Sequence, residues 1–206
     1  MTNRRYIFLA LWAAFVLYAW QIAPTGDQGY LQQLMTMEDP DPLLLMLFSL
    51  LGIYPAVFAI LILSHDKSRF PAWPFVVGSF MLGAFALLPY FFLSNTKNYR
   101  SNRTPAWLQK FLEFTSIHML LLLGSLVLIF HGFLNGDFSL YWQAFETSQF
   151  VHVMTIDFFV LTGLSMYVIG WEQEKHGGKR YWSLIGMVPI IGVLLYIILT
   201  RKKRVV

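Results

Sequence analysis

Six apolar stretches, each about 20 residues long, run along the sequence and are separated by polar segments. Within each stretch the apolar residues are nearly continuous, which is typical of membrane-spanning helices and not of alternating barrel strands. The pattern predicts an all-α fold, a polytopic bundle of six transmembrane helices in a single membrane domain covering residues 1–206. The predicted spans are 6–22, 43–64, 73–94, 112–133, 150–171 and 181–200.

Composition supports a membrane protein. Hydrophobic residues make up 57% of the chain and charged residues 13%, about half the charge of a typical soluble domain. The chain has no cysteine, which excludes disulfides, thiolate metal sites and dithiol redox chemistry. Its basic residues lie in short loops and near the C-terminus, so we expect membrane lipid and not nucleic acid as the partner.

Charged loops indicate the orientation of the chain. Arg4 and Arg5 precede the first span and a basic run, 201–204, ends the chain, so six spans place both termini on one side. The acidic segment 24–42, which has no Lys or Arg, belongs on the other side. Six spans then divide the Lys and Arg residues 8 against 7, because the basic segment 95–110 falls beside the acidic one. We predict cytoplasmic termini, in a plasma or thylakoid membrane.

Polar residues inside the fifth span are candidates for function. Asp157 lies about seven residues into that span, where an acidic side chain costs about 2.5–3.5 kcal/mol. Such an acid faces the interior of a bundle and has a polar partner. It either locks two helices together or acts as a proton relay or a polar handle in a ligand pocket. The predicted polar intramembrane site consists of Asp157, Thr155, Thr162 and His118.

Two histidines form a second candidate site. His131 ends the fourth predicted span and His152 begins the fifth, so both lie near the same membrane face. Neutral imidazoles could bind a haem iron or chlorophyll magnesium, or they could simply bond to headgroups, water or each other. No closely spaced histidine motif of a di-iron desaturase is present, and no other metal site is predicted.

Two segments, 61–97 and 169–203, resemble each other. Each has a helix end, a charged turn with acid before base, a tryptophan, and a helix that contains glycine and a mid-span proline. Either this is an internal repeat, or membrane hairpins share these features in general. With six spans, a true repeat would be inverted, as in many transporters. The matching residues are Trp73 and Trp182, Pro89 and Pro189, and Tyr90 and Tyr196.

The stronger copy also carries a family resemblance. Segment 150–204 places an intramembrane acid before the charged turn, the tryptophan and the helix with glycine and proline. The segment resembles a small uncharacterised polytopic membrane protein family of cyanobacteria and chloroplasts. The resemblance implies a photosynthetic membrane, and some plastid relatives are linked to xanthophyll (neoxanthin) formation; it implies no particular reaction. The residues that carry it are Asp157, Glu172, Glu174, Trp182, Gly186, Pro189, Tyr196 and Arg201.

Three classes of function fit these features. The first is a non-enzymatic membrane protein that binds or assembles a partner complex or a pigment in a photosynthetic membrane. Its helices would pack through Gly163 and Gly170, with Asp157 and the two histidines as the polar site. The second is a membrane enzyme or redox carrier that acts on a lipidic substrate, such as a carotenoid or a quinone. The third is a small transporter. Whether the protein is an enzyme stays open.

Overall fold

A computed structural model of the chain describes residues 2–63, 70–94, 104–175 and 180–201. Regular secondary structure in these ranges is helical, which confirms the predicted all-α class. Gly26 and Ser148 add an isolated β-bridge. Among the described residues, three helices are long and apolar enough to cross a membrane: Pro42–Leu63, Thr115–Asn135 and Gln149–Glu174. The protein is therefore a candidate integral membrane protein by length and composition.

Some residues of the sequence predictions lie outside the described ranges. They include the charged turn that follows the second predicted span, the bases that precede Thr104, and most of the basic run at the C-terminus. These residues are Asp66, Lys67, Arg69, Lys97, Arg100, Arg103, Lys179 and 202–204.

The N-terminal half begins with helix α1 (Thr2–Gln21) and short helix α2 (Tyr30–Thr36). Helix α3 (Pro42–Phe58) follows and continues into a π-helical turn, Ala59–Leu63. Asp41 starts α3, since its carboxylate accepts hydrogen bonds from the backbone N–H groups of Leu43 and Leu44. Two short helices, α4 (Trp73–Leu82) and α5 (Ala84–Leu93), complete this half.

The C-terminal half repeats this order of elements. Short helix α6 (Ala106–Leu112) leads to α7 (Thr115–Asn135), α8 (Phe138–Thr147) and α9 (Gln149–Lys175). A 3₁₀ helix (Arg180–Met187) and α10 (Ile191–Arg201) end the described chain. Hence α1, α2 and α3 correspond to α7, α8 and α9, and each half ends in two short helices.

The α4–α5 segment is a helical hairpin, which we call hairpin 1. The Phe75 and Tyr90 rings lie 5.9 Å apart, although a straight helix would separate these residues by about 22 Å. A Cβ added at Gly78 would meet the Ala86 Cβ at 3.3 Å, so the two arms pack directly on each other. The chain reverses at Gly83, which has φ 53° and ψ −129°. Residues 73–94 therefore do not form the single helix that the sequence predicted.

The 3₁₀ helix and α10 form an equivalent hairpin 2. Trp182 and Tyr196 have ring centroids 6.2 Å apart, against about 21 Å expected along a straight helix. The chain reverses at Pro189 and Ile190, where Ile190 has φ 59°. Residues 181–200 are thus also folded back, and the predicted six-span bundle is not confirmed. The pattern predicted one helix at each hairpin because two apolar arms of half length have the same composition as one full span.

The two halves run parallel to each other, so a repeat that includes the two hairpins is not inverted in this structure. Helices α3 and α9 lie side by side in the same direction, with Phe48 near Phe150 (6.2 Å between ring centroids) and Tyr54 near Phe158 (5.5 Å). Each half contains two long helices and one hairpin. The two long helices and two hairpin arms of a half alternate in direction. The second half therefore starts in the same direction as the first.

The first helix of each half contacts the long helix of the other half, although α1 packs mainly on α5 of its own half, as the stacked rings of Phe15 and Phe85 show. Helix α1 lies antiparallel to α9, with Phe8 against Tyr167 and Tyr18 against His152. Likewise α7 lies antiparallel to α3, where a Cβ at Gly132 would come within 2.6 Å of Met46. This crosswise packing joins the halves into one body.

The packing also defines two ends of the bundle. At the end that we call the basic end, Arg4 donates a hydrogen bond to Ser94 (3.4 Å), and Thr104 donates to the Leu63 carbonyl (2.6 Å). At the opposite, acidic end, the backbone N–H of Asp137 donates to the Asp41 carboxylate (2.9 Å). Both hairpins begin and end at the basic end.

Candidate functional site at the hairpin tips

Asp157 lies at the tip of hairpin 1. Helix α9 places this carboxylate eight residues after its first residue, Gln149, where the side chain is only 4% exposed. Its Oδ1 accepts the backbone N–H of Ala84, the first residue of α5, at 2.8 Å. The absence of a side chain at Gly83 makes room for Oδ2, because a Cβ there would overlap it. The acid of one half therefore caps a helix of the other half, and the helix dipole favours a negative group there.

Tyr54 takes the equivalent place at the tip of hairpin 2. Its hydroxyl lies 2.6 Å from Thr162 Oγ1 and accepts the backbone N–H of Ile190. Thr162 donates its own proton to the Phe158 carbonyl (2.8 Å), so Tyr54 donates to Thr162. A chain of hydrogen bonds thus runs from the hairpin tip through α3 to α9. Each tip is held by a polar side chain from the long helix of the opposite half.

The predicted polar site is divided among three places in the structure. Asp157 and Thr162 serve the two hairpin tips. Thr155 lies toward the acidic end, where it bonds with the Tyr141 hydroxyl (2.9 Å) of α8. Burial raises the pKa of the Tyr141 phenol above its usual range, and the bond to Thr155 opposes this rise. His118 lies toward the basic end, where its Nε2–H donates to the Leu112 carbonyl (2.8 Å) and ties α7 to α6.

The two predicted cofactor histidines both lie toward the acidic end but have different surroundings. His152 is bonded through both ring nitrogens: Nδ1 to the Phe145 carbonyl (2.9 Å) and Nε2 to the Tyr18 hydroxyl (2.5 Å). His131 is exposed, and Asn135 donates to its Nδ1 (3.1 Å). A haem iron or chlorophyll magnesium would have to displace one of the two bonds of His152. In the described ranges, no three His, Asp or Glu side chains are grouped to hold a metal ion.

Glycine packing also differs from the prediction. Gly163 is exposed, and a Cβ added there would meet nothing within 4 Å. Gly170 lies in ordinary contact with Ser183 of hairpin 2. Closer approaches to a neighbouring helix than at Gly163 or Gly170 occur at Gly132 on Met46 and at Gly186 on Met166. Small residues do permit these approaches, but at other positions than those predicted.

Sequence reasoning missed three residues that complete these sites: Tyr18, Tyr54 and Gly83. Tyrosines are common in apolar spans, and nothing local distinguishes the two that hold hydrogen bonds to the other half. Gly83 gave a readable signal, since an isolated glycine in a helical pattern marks a break or a close approach. Only the fold shows that the break faces Asp157.

Comparison with known proteins adds no identification. No family model, no curated protein and no solved structure matches the chain. The resemblance to the cyanobacterial and chloroplast family therefore stays a prediction.

Replacing Tyr54 with phenylalanine is expected to destabilise the protein by about 1–3 kcal/mol. The ring would keep its packing, but the buried N–H of Ile190 would lose its acceptor. Unfolding in mixed micelles by a denaturing detergent measures the change, and Tyr6→Phe is the control because Tyr6 is 67% exposed. Equal stability of the two variants would show that the Tyr54 hydroxyl does not hold hairpin 2.

Proposed function

We propose that the chain crosses a membrane four times, through α1, α3, α7 and α9, and that both hairpins are re-entrant. Each arm of hairpin 1 has 10 residues, or about 15 Å, which is half the hydrocarbon thickness. Non-helical backbone at membrane depth requires burial in protein. Gly83 and Ile190, the two reversal points, are both buried. Re-entrant hairpins are consistent with both observations.

The charges support this topology and suggest its direction. All 15 Lys and Arg residues of the sequence then belong to the basic end or to segments that join described residues there. The acidic end carries Asp and Glu without a single Lys or Arg, over segments 22–41 and 136–149. The positive-inside tendency would place the basic end, with both termini, in the cytoplasm. With four spans, the Lys and Arg residues are no longer divided 8 against 7 between the two sides of the membrane, as they are with six spans.

Cysteine labelling distinguishes the two topologies, and the chain has no cysteine of its own. Thr36→Cys at the acidic end is expected to react with an impermeant maleimide added outside intact cells. Lys110→Cys in α6 is expected to react only after permeabilisation. Six spans would put both positions on the same side, so labelling of both in intact cells would contradict the hairpins. Labelling of Lys110→Cys alone would reverse the direction.

We further propose that the protein is a membrane transport protein for a small polar solute or ion. The observation that carries this proposal is that each hairpin tip bonds to a polar side chain within a long apolar helix: Ala84 to Asp157 of α9, and Ile190 to Tyr54 of α3. Transporters place their sites near the bilayer midplane, where helices are interrupted and expose backbone groups and helix N-termini. They are also commonly built from two repeats, including parallel repeats related by an axis along the membrane normal.

Reconstitution in liposomes tests this function. Wild-type protein is expected to carry at least one member of a panel of protons, alkali cations, halide, phosphate and small neutral solutes faster than protein-free liposomes. Asp157→Ala should lower that flux to the protein-free level, whereas Gly163→Ala on the same helix should leave it unchanged. A folded wild-type protein that moves nothing in the panel, or an equal flux in Asp157→Ala, would contradict the proposal.

A second candidate function is the binding or assembly of a partner complex or a pigment in a photosynthetic membrane. It is favoured by α7, whose outer face exposes large apolar side chains along its whole length, from Met119 to Leu134. Purification in mild detergent, followed by absorbance and mass analysis, tests it. A co-purifying complex or pigment that is retained in Asp157→Asn would support this function. Protein free of pigment and partner would contradict it.

A further inference from the structure

Near the acidic end, a tyrosine and a histidine form a closely hydrogen-bonded pair. The Tyr18 hydroxyl of α1 lies 2.5 Å from His152 Nε2 of α9, which is at the short end of the hydrogen-bond range. The other ring nitrogen, Nδ1, lies 2.9 Å from the Phe145 carbonyl. A carbonyl only accepts, so Nδ1 carries the hydrogen and Nε2 of the neutral ring is the acceptor. Tyr18 therefore donates to a base that is fixed in position.

Aromatic rings connect this pair with the surface. The Tyr18 and His152 rings are stacked with centroids 5.7 Å apart, and His152 stacks on Phe145 at 4.2 Å. Phe145 in turn lies 5.6 Å from the ring of Trp142, which is 58% exposed. The exposed, oxidisable indole of Trp142 is thus connected through the rings of Phe145 and His152 to the Tyr18 phenol, whose proton acceptor is His152.

The corresponding helices of the other half make a different contact. The equivalent helices of the other half, α7 and α3, meet near the same end through Gly132 packed on Met46. Two other tyrosines, Tyr54 and Tyr141, bond to the hydroxyls of Thr162 and Thr155, which are not bases at neutral pH. The Tyr196 hydroxyl donates to the Glu172 carboxylate (3.2 Å), an acceptor of a different kind from an imidazole.

We propose that Tyr18 and His152 form a proton-coupled one-electron redox site. A one-electron oxidant at the acidic end removes an electron from Tyr18, directly or through Trp142. The phenolic proton moves to His152 Nε2, giving a neutral tyrosyl radical and an imidazolium whose Nδ1–H remains bonded to Phe145. Return of one electron reverses both steps. The oxidant belongs to the class of metal complexes or photo-oxidised pigments strong enough to oxidise a phenol. The site is independent of the proposed transport function.

The experiment uses the full-length protein in lipid nanodiscs, with ruthenium tris-bipyridine as photosensitiser and pentaamminechlorocobalt(III) as the electron acceptor. A laser flash generates the ruthenium(III) oxidant. Transient absorbance and electron paramagnetic resonance of frozen samples then detect the tyrosyl radical. The chain has 10 tyrosines, so assignment depends on variants. Tyr18→Phe is expected to remove most of the radical signal, and Tyr141→Phe, the matched control from the same end, to leave it.

The histidine variant tests the proton acceptor. His152→Gln keeps a hydrogen-bonding side chain but not the base, and it should slow Tyr18 oxidation by at least about tenfold, since a positioned base typically contributes 10²–10⁴-fold. It should also make the rate depend on bulk pH, which the wild-type rate should not. Undiminished radical in Tyr18→Phe would overturn the proposal, as would an unchanged rate in His152→Gln. Circular dichroism of each variant establishes that it is folded.

Discussion

Replacing Gly83 with alanine is expected to unfold hairpin 1 or to destabilise the protein by about 2–6 kcal/mol. Two costs add: about 1–3 kcal/mol for a side chain in a left-handed backbone conformation, and about 1–3 kcal/mol for overpacking against Asp157. The second cost is severe here because the added Cβ would overlap the carboxylate that caps α5. Detergent-induced unfolding of purified protein, followed by tryptophan fluorescence, measures the loss.

Gly163→Ala is the matched control for this variant. Gly163 lies in a helix with open space around it, so alanine there is expected to be neutral or to stabilise by up to about 1 kcal/mol. Similar losses of stability in both variants would show that the backbone conformation and close packing at Gly83 do not determine the stability of the protein. A large loss for Gly83→Ala alone is the expected outcome.

Removing the carboxylate of Asp157 is expected to cost about 1–3 kcal/mol, because the buried N–H of Ala84 loses its acceptor. Asp157→Asn should cost less than Asp157→Ala, since the amide oxygen can still accept this hydrogen bond. The same unfolding measurement ranks the three proteins. If the Asp157→Asn and Asp157→Ala variants are equally destabilised, the hydrogen bond to the Ala84 N–H is not the stabilising contact.

A double variant tests the contact between the two residues. In Asp157→Ala the space over Gly83 is free, so adding Gly83→Ala should cost less than it does in the wild type. The coupling energy is expected to be about 1–3 kcal/mol, within the range for residues in direct contact. Strict additivity of the two changes would place Asp157 away from the tip of hairpin 1.

The sequence predicted the long helices well. Predicted spans 43–64 and 112–133 correspond within a few residues to Pro42–Leu63 and Thr115–Asn135. Hydrophobic length determines such helices locally, because every buried backbone group must find its partner within the segment. The two hairpins could not be predicted in this way, since folding back depends on contacts with the other half. The sequence did give one warning: with six spans, the Lys and Arg residues are divided almost equally between the two sides of the membrane.

For the candidate site, the sequence identified the polar residues but not their partners. Asp157 was predicted to belong to the site because an acidic side chain has a high free-energy cost in an apolar span. The structure gives it a backbone N–H as partner. Thr155 and His118 were grouped with it only because they also lie in apolar surroundings. Their hydrogen bonds to Tyr141 and to the Leu112 carbonyl depend on helix positions that no local pattern specifies.

The crosswise attachment of the hairpins has a consequence for biogenesis. Ala84 and Asp157 are 73 residues apart in sequence, so the ribosome completes hairpin 1 well before it makes the helix that caps it. Until α9 enters the bilayer, the Ala84 amide lacks its carboxylate, and the first half is not a finished folding unit. Hairpin 1 therefore reaches its final packing only late in folding, after α9 has been made. Nascent chains interrupted before residue 149 are expected to become substrates for membrane quality-control proteases.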